Sequence, residues 1–149
     1  MRLYLDTSAL VKLYVEEDGR PLVTKAVEEA DSVATSLVAY VEARAAFARR
    51  RRGGILPAAD HNRVLRDFEN DWRTFFIVDV TGPLVKNAGK LAERHALRGY
   101  DAVHLASADL FQSTLEEAVT FASWDSRLET AAQRQGLSIL RSRLRSLGR

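Results

Sequence analysis

A chain of 149 residues with 46% apolar and 28% charged side chains has room for one packed domain and the balance of a globular protein rather than a disordered one. It has no cysteine, which excludes disulfides and thiolate zinc sites, and its net charge of +2 is too small to imply a nucleic-acid partner by itself. Asp6 breaks the first apolar run and no stretch is long enough to span a bilayer, so a cytoplasmic protein without a signal peptide is expected.

Residues 3–5 read as a short strand and 7–15 as the helix that follows, with Asp6, Thr7 or Ser8 available as its cap. "GRPLVTKAVEEAD" reads as a second helix with Pro21 suited to its first turn, and "SVATS" as a strand. "LVAYVEARAAFARRRRGG" is a helix ended by glycines, and "PAADHNRVLRDFENDW" is another, opened by Pro57. "FFIVDV" has the aromatic and β-branched composition of a strand, after which Thr81 caps the helix "GPLVKNAGKLAERHAL". "YDAVHLASADLFQ" reads as helix and "AVTFAS" as strand. Ser126 and Glu129 have capping-box spacing before "RLETAAQRQG", and "LSIL" is a last short strand.

Short strands alternating with helices predict an α/β fold: a small central parallel sheet flanked by helices on both faces. The folded domain is expected to cover residues 1–140, followed by a basic tail over 141–149 that carries Arg141, Arg143, Arg145 and Arg149. In such folds ligands gather beyond the carboxyl ends of the strands. Asp6 ends the first strand there. Asp125 follows another strand, and Asp101 lies in the first turn of a helix. Glu42 stands among Val38, Val41, Ala45 and Ala46 on a largely apolar helix, where a carboxylate needs a partner such as Arg44, a solvent edge or a metal. Asp79 is a further strand-end acid, read as structural because Thr81 follows it.

Helix capping accounts for Asp6, Asp101 and Asp125 one at a time, but not for their collection at one end of the fold. Two carboxylates about 4 Å apart repel by roughly 4 kcal/mol at an effective dielectric near 20. Convergence therefore raises their pKa values or recruits a cation. An all-oxygen cluster suits Mg²⁺ or Mn²⁺, and such an ion serves phosphoryl chemistry.

"LDTSAL", "SLVAYVEARAA", "YDAVHLASA" and "FASWDSRL" together resemble the PIN-domain nucleases, and within them the VapC-type toxins of bacterial and archaeal toxin–antitoxin pairs. The resemblance runs from Leu3 to about Leu140. It implies a magnesium site in which Asp6 and Asp101 are the principal metal-binding carboxylates and Glu42 and Asp125 support them. Thr7 or Ser8, and Ser123, match the hydroxyls that hydrogen-bond those acids. It further implies endonucleolytic cleavage of RNA, a homodimer, and inhibition by a small VapB-type antitoxin. Because water attacks the backbone phosphate, the products carry a 5′-phosphate and a 3′-hydroxyl.

Other readings stay open at this point. A PIN nuclease with a non-toxin role in RNA processing has the same acids, and a non-catalytic acidic-site module for binding or signalling is the remaining option. An aspartyl-phosphate phosphatase wants a second acid two residues after the first, where this chain has Ser8. Arg49, Arg50, Arg51 and Arg52 offer contacts to RNA, although four cations before Gly53 also suit a helix C-terminus. His104, one turn beyond Asp101, either faces the site and RNA or is a satisfied core histidine. Trp124 either stacks on a base or walls the core.

Overall fold

The rings of Tyr4 and Phe121 stack nearly parallel, 5.5 Å apart, on neighbouring strands whose register sets these two residues opposite each other. They lie at the centre of the sheet. The computed structural model describes residues 1–141. In chain order it contains β1 (Arg2–Leu5), α1 (Thr7–Lys12), α2 (Arg20–Glu29), β2 (Ser32–Ser36), α3 (Val38–Arg52), α4 (Ala58–Trp72) and β3 (Phe76–Val78). Then follow α5 (Gly82–His95), α6 (Gly99–Leu115), β4 (Val119–Ala122), α7 (Ser126–Arg134) and β5 (Ser138–Ile139).

The strands form one parallel sheet in the order β3-β2-β1-β4-β5. Side chains alternate across it, as strand geometry requires. Leu3 and Leu5 point to one face and pack with Leu10, Ala43, Phe47 and Phe68 of α1, α3 and α4. Tyr4 points to the other and packs with Leu91, Leu105, Phe121 and Leu128 of α5, α6, β4 and α7. Leu3, Tyr4 and Leu5 are fully buried; each large apolar side chain so placed contributes about 1.5–3 kcal/mol. Helices therefore cover both faces, as expected. No helix among the described residues is long and apolar enough to cross a membrane.

β1 sits between β2, which follows it in sequence, and β4, which the chain reaches only after building the other edge. The order reverses between β1 and β4. The crevice beyond the carboxyl ends of these two strands is the switch point at which open α/β sheets bind ligands. It receives Asp6 from one strand and residues 123–125 from the other.

Several boundaries differ from those expected. The first helix stops at Lys12, where the Leu13 and Tyr14 amides bond three residues back, to the Leu10 and Val11 carbonyls. The strand expected over 75–80 is confined to Phe76–Val78; the Asp79 carboxylate takes the Val80 amide and Thr81 caps α5. α6 runs on to Leu115, and the strand expected over 137–140 covers only Ser138–Ile139. The capping box is a correction. Asp125, not Ser126, caps α7 by accepting the Leu128 amide at 3.0 Å, and Glu129 instead bonds the Arg141 guanidinium through two nitrogens. Arg143, Arg145 and Arg149 lie outside the described residues.

Candidate active site

Asp6 continues the line of β1, its amide bonded to the Ala122 carbonyl of β4 at 3.1 Å. Its extended backbone ends the strand, and its Oδ1 accepts the Ala9 amide at 2.9 Å, which makes it the cap of α1. Ser8 Oγ donates to the same oxygen at 2.6 Å. The side chain is buried at 4% exposure. That burial pushes its carboxyl above the ordinary range, opposed by His104, by the hydroxyls of Ser123 and Ser8, and by the Ala9 amide.

Across the crevice, fully buried Ser123 accepts the Asp125 amide at 3.0 Å. Asp125 itself is exposed, with Oδ1 engaged in capping α7. Asp101 enters from the first turn of α6. Its carboxyl is also raised, by burial first and then by the negative charges of Asp125 and Asp6, against the pull of His104 and Arg98. Asp6, Asp101 and Asp125, drawn from positions far apart in the chain, thus share one electrostatic neighbourhood.

Glu42 is held in a different way. Thr7 Oγ1 donates to its Oε1 at 2.7 Å, and His104 Nε2 bonds the same oxygen at 2.8 Å. Burial alone raises this carboxyl, but the His104 hydrogen bond and charge, with the Thr7 hydroxyl, outweigh it and hold Glu42 below the ordinary range. The expected partner Arg44 is a correction, since Arg44 pairs with Glu69 and Tyr40. His104 is 2% exposed and bonds Tyr4 Oη through Nδ1 at 2.9 Å. An RNA contact from His104 is therefore corrected as well: both ring nitrogens are used inside the protein. His104 lies where it favours the ionised forms of Asp6, Glu42 and Asp101, three of the four acids.

The four arginines form the last turn of α3, where Gly53 bonds back to the Arg49 carbonyl and cations complement the helix dipole. Arg50 also bonds Glu17 at 3.0 Å, while Arg49, Arg51 and Arg52 are exposed. Trp124 packs against the core formed with α1, α3 and α4. Lys12 Nζ lies 4.8 Å from the centroid of its ring system and the Arg141 guanidinium 5.2 Å, so cations occupy the surface expected to meet a base. Arg141 also feels the charges of Asp6 and Asp125. The roles of Tyr4 and Lys12 are absent from the sequence reading. Tyr4 is signalled only by its place between Leu3 and Leu5, which turns it to the α6 side of the sheet.

Among the described residues, no three Asp, Glu or His side chains already stand as a closed cage for an ion. Asp6, Asp101 and Asp125 do bring oxygen donors to one neighbourhood, the ligand type of a hydrated hard cation. Mg²⁺ is usually bound in this way, through one or two carboxylates with water retained.

The PIN-domain family profile matches residues 3–133. Ribonuclease VapC45 of Mycobacterium tuberculosis is 37% identical over 142 residues, covering 95% of this chain and 96% of the relative. The crystal structure of PAE2754 from Pyrobaculum aerophilum has a TM-score of 0.66 at 18% identity, covering 99% of this chain and 90% of that one. A toxin–antitoxin complex from Klebsiella pneumoniae has a TM-score of 0.57 at 20% identity over 85% of this chain and 88% of its own. The fold, the matched span and the identity over nearly the full length agree: the chain belongs to the PIN-domain family and, within it, to the VapC ribonucleases.

Proposed function

We propose that the chain is a Mg²⁺-dependent endoribonuclease and the toxin of a VapBC-type pair, with Asp6 and Asp101 as its principal metal-binding carboxylates and Glu42 and Asp125 in support. The observation that carries this reading is the Asp101 carboxyl, set in the field of Asp125 and Asp6 at the switch point of the sheet. Burial and the charges of Asp125 and Asp6 raise the Asp101 carboxyl, and a cation among these acids favours its ionised form. Mg²⁺, with Mn²⁺ as a substitute, supplies positive charge at a phosphoryl oxygen and acidity to a water.

The protein's own groups do the rest. Ser8 and the Ala9 amide fix Asp6 Oδ1, and the Thr7 hydroxyl holds Glu42 Oε1, so these acids are held before substrate arrives. Preorganisation of this kind lowers the cost of assembling charge at the reacting phosphate. In this reading RNA is the substrate, the active form is a cytoplasmic homodimer, and a VapB-type antitoxin is the partner. The name of the ribonuclease relative supports the substrate, and that of the toxin–antitoxin complex supports the partner.

The purified protein is expected to cut RNA with Mg²⁺ or Mn²⁺, leaving 5′-phosphates, and EDTA should abolish cutting. Its induction should arrest growth, whereas induction of Asp101→Asn should not. Cleavage that resists EDTA, or products with a 2′,3′-cyclic phosphate, would overturn the metal-hydrolysis reading.

A further inference from the structure

Tyr4, His104 and Glu42 come from β1, α6 and α3, and they form one continuous chain of hydrogen bonds through the protein interior. We propose that Tyr4 and His104 are positioning residues: a buried strut that fixes Glu42 Oε1 and leaves Oε2 as the oxygen available to the active site. This rests on the metal-dependent reading above and goes beyond it, because neither residue is among the acids or hydroxyls assigned there.

The proton inventory gives the strut a direction. A carboxylate only accepts, so Nε2 of His104 carries hydrogen and donates to Glu42 at 2.8 Å. Thr7 donates to the same oxygen at 2.7 Å. In the neutral ring Nδ1 is then a lone pair, and the Tyr4 hydroxyl donates to it at 2.9 Å. In either protonation state of the ring, Nε2–H remains aimed at Glu42.

The strut is also held rigidly. Tyr4 is fully buried on the central strand, stacked on Phe121 at 5.5 Å and set edge-on to the His104 ring at 6.0 Å. His104 lies one turn along α6 from Asp101, so the helix that delivers one metal-binding acid also carries the residue that aims another. Groups that orient metal-site ligands in this manner typically change metal affinity or activity by about 10–100-fold when removed.

The test uses the full chain, with Mn²⁺ as the probe: its dissociation constant by calorimetry, RNA cleavage as separate kcat and KM, and thermal melting of each variant. His104→Ala should weaken Mn²⁺ binding by about 10–100-fold and lower kcat with little change in KM. His104→Gln, whose amide nitrogen reaches the Nε2 position, should recover most of both. Tyr4→Phe should fold, keep its packing on Phe121 and show a several-fold loss of each. If His104→Ala does not fold, His104→Gln and Tyr4→Phe decide the question. Folded Tyr4→Phe or His104→Ala protein with wild-type Mn²⁺ affinity and kcat would overturn the strut, as would His104→Gln no better than His104→Ala. Wild-type protein that neither binds Mn²⁺ nor cuts RNA would instead overturn the functional reading on which the strut depends.

Discussion

Ser8 Oγ donates to Asp6 Oδ1 at 2.6 Å and accepts the Trp124 amide at 3.0 Å. One hydroxyl thereby ties the acid at the end of β1 to the loop that carries Asp125 after β4. Replacing it leaves a backbone N–H without that partner and Asp6 without one of its donors. Ser8→Ala is expected to cost about 0.5–1.5 kcal/mol in urea unfolding, the range for a typical intramolecular hydrogen bond. It should also lower RNA cleavage more than ten-fold. A variant with wild-type stability and activity would show that the hydroxyl is incidental.

Asp6, Thr7 and Ser8 could be read from the sequence because their signal is local: a strand runs into polar residues and back to apolar ones within a few positions. The same holds for Asp101 and Asp125, each beside a strand end or helix start. Glu42 was visible as an oddity, but its partner was not. The bond from His104 spans 62 residues and depends on how α3 and α6 lie against β1, which no local periodicity encodes. Arg44, two residues away, was the only partner a linear reading could offer. The capping box failed for a related reason: Asp125 competes for the Leu128 amide and wins by one position, which frees Glu129 for Arg141.

Asp6 and Asp101 both have raised carboxyl pKa values, so the folded protein holds their protons to higher pH than the unfolded chain does. The sign follows from linkage: stability is lost as pH rises from the ordinary carboxylate range through the raised values, and the loss is complete above them. Glu42 has the opposite sign and contributes stability that disappears on acidification. Total stability mixes the two, whereas the difference between wild type and a single variant isolates one group. Asp101→Asn in EDTA should therefore melt above wild type at neutral pH, and the margin should shrink as pH falls. Mg²⁺ should close the margin by stabilising wild type, by about 2.7 kcal/mol at a hundred times its dissociation constant. A margin that grows on acidification, or a magnesium effect equal in both proteins, would contradict this.

Gly19 has φ of +91°, and a Cβ placed there would lie 2.4 Å from the Trp124 ring. Only glycine satisfies both the left-handed backbone and the close approach of the indole. Gly19→Ala must push Trp124 away, and Trp124 is bonded through its amide to Ser8 and thence to Asp6. Unfolding free energy is expected to fall by about 1–3 kcal/mol, together with a shift in tryptophan fluorescence and a partial loss of RNA cleavage. Unchanged fluorescence with unchanged stability would mean that the ring moves without cost.

Asp125 caps α7 with Oδ1 and places its charge beside Asp101, so one residue combines the capping role and the site role that the sequence leaves as alternatives. The two are separable by substitution, because asparagine caps as well as aspartate but carries no charge. Asp125→Asn should keep the stability of wild type, or slightly exceed it without metal, while RNA cleavage and Mn²⁺ affinity fall. Asp125→Ala should lose these and also about 1 kcal/mol of stability with the cap. Ser126→Ala, one residue on, should stay within about 0.5 kcal/mol of wild type, because Ser126 is not the cap. Urea midpoints for the three variants, read beside their cleavage rates, decide the matter. Equal activity in Asp125→Asn and wild type would reduce Asp125 to a cap and leave the site to Asp6, Glu42 and Asp101.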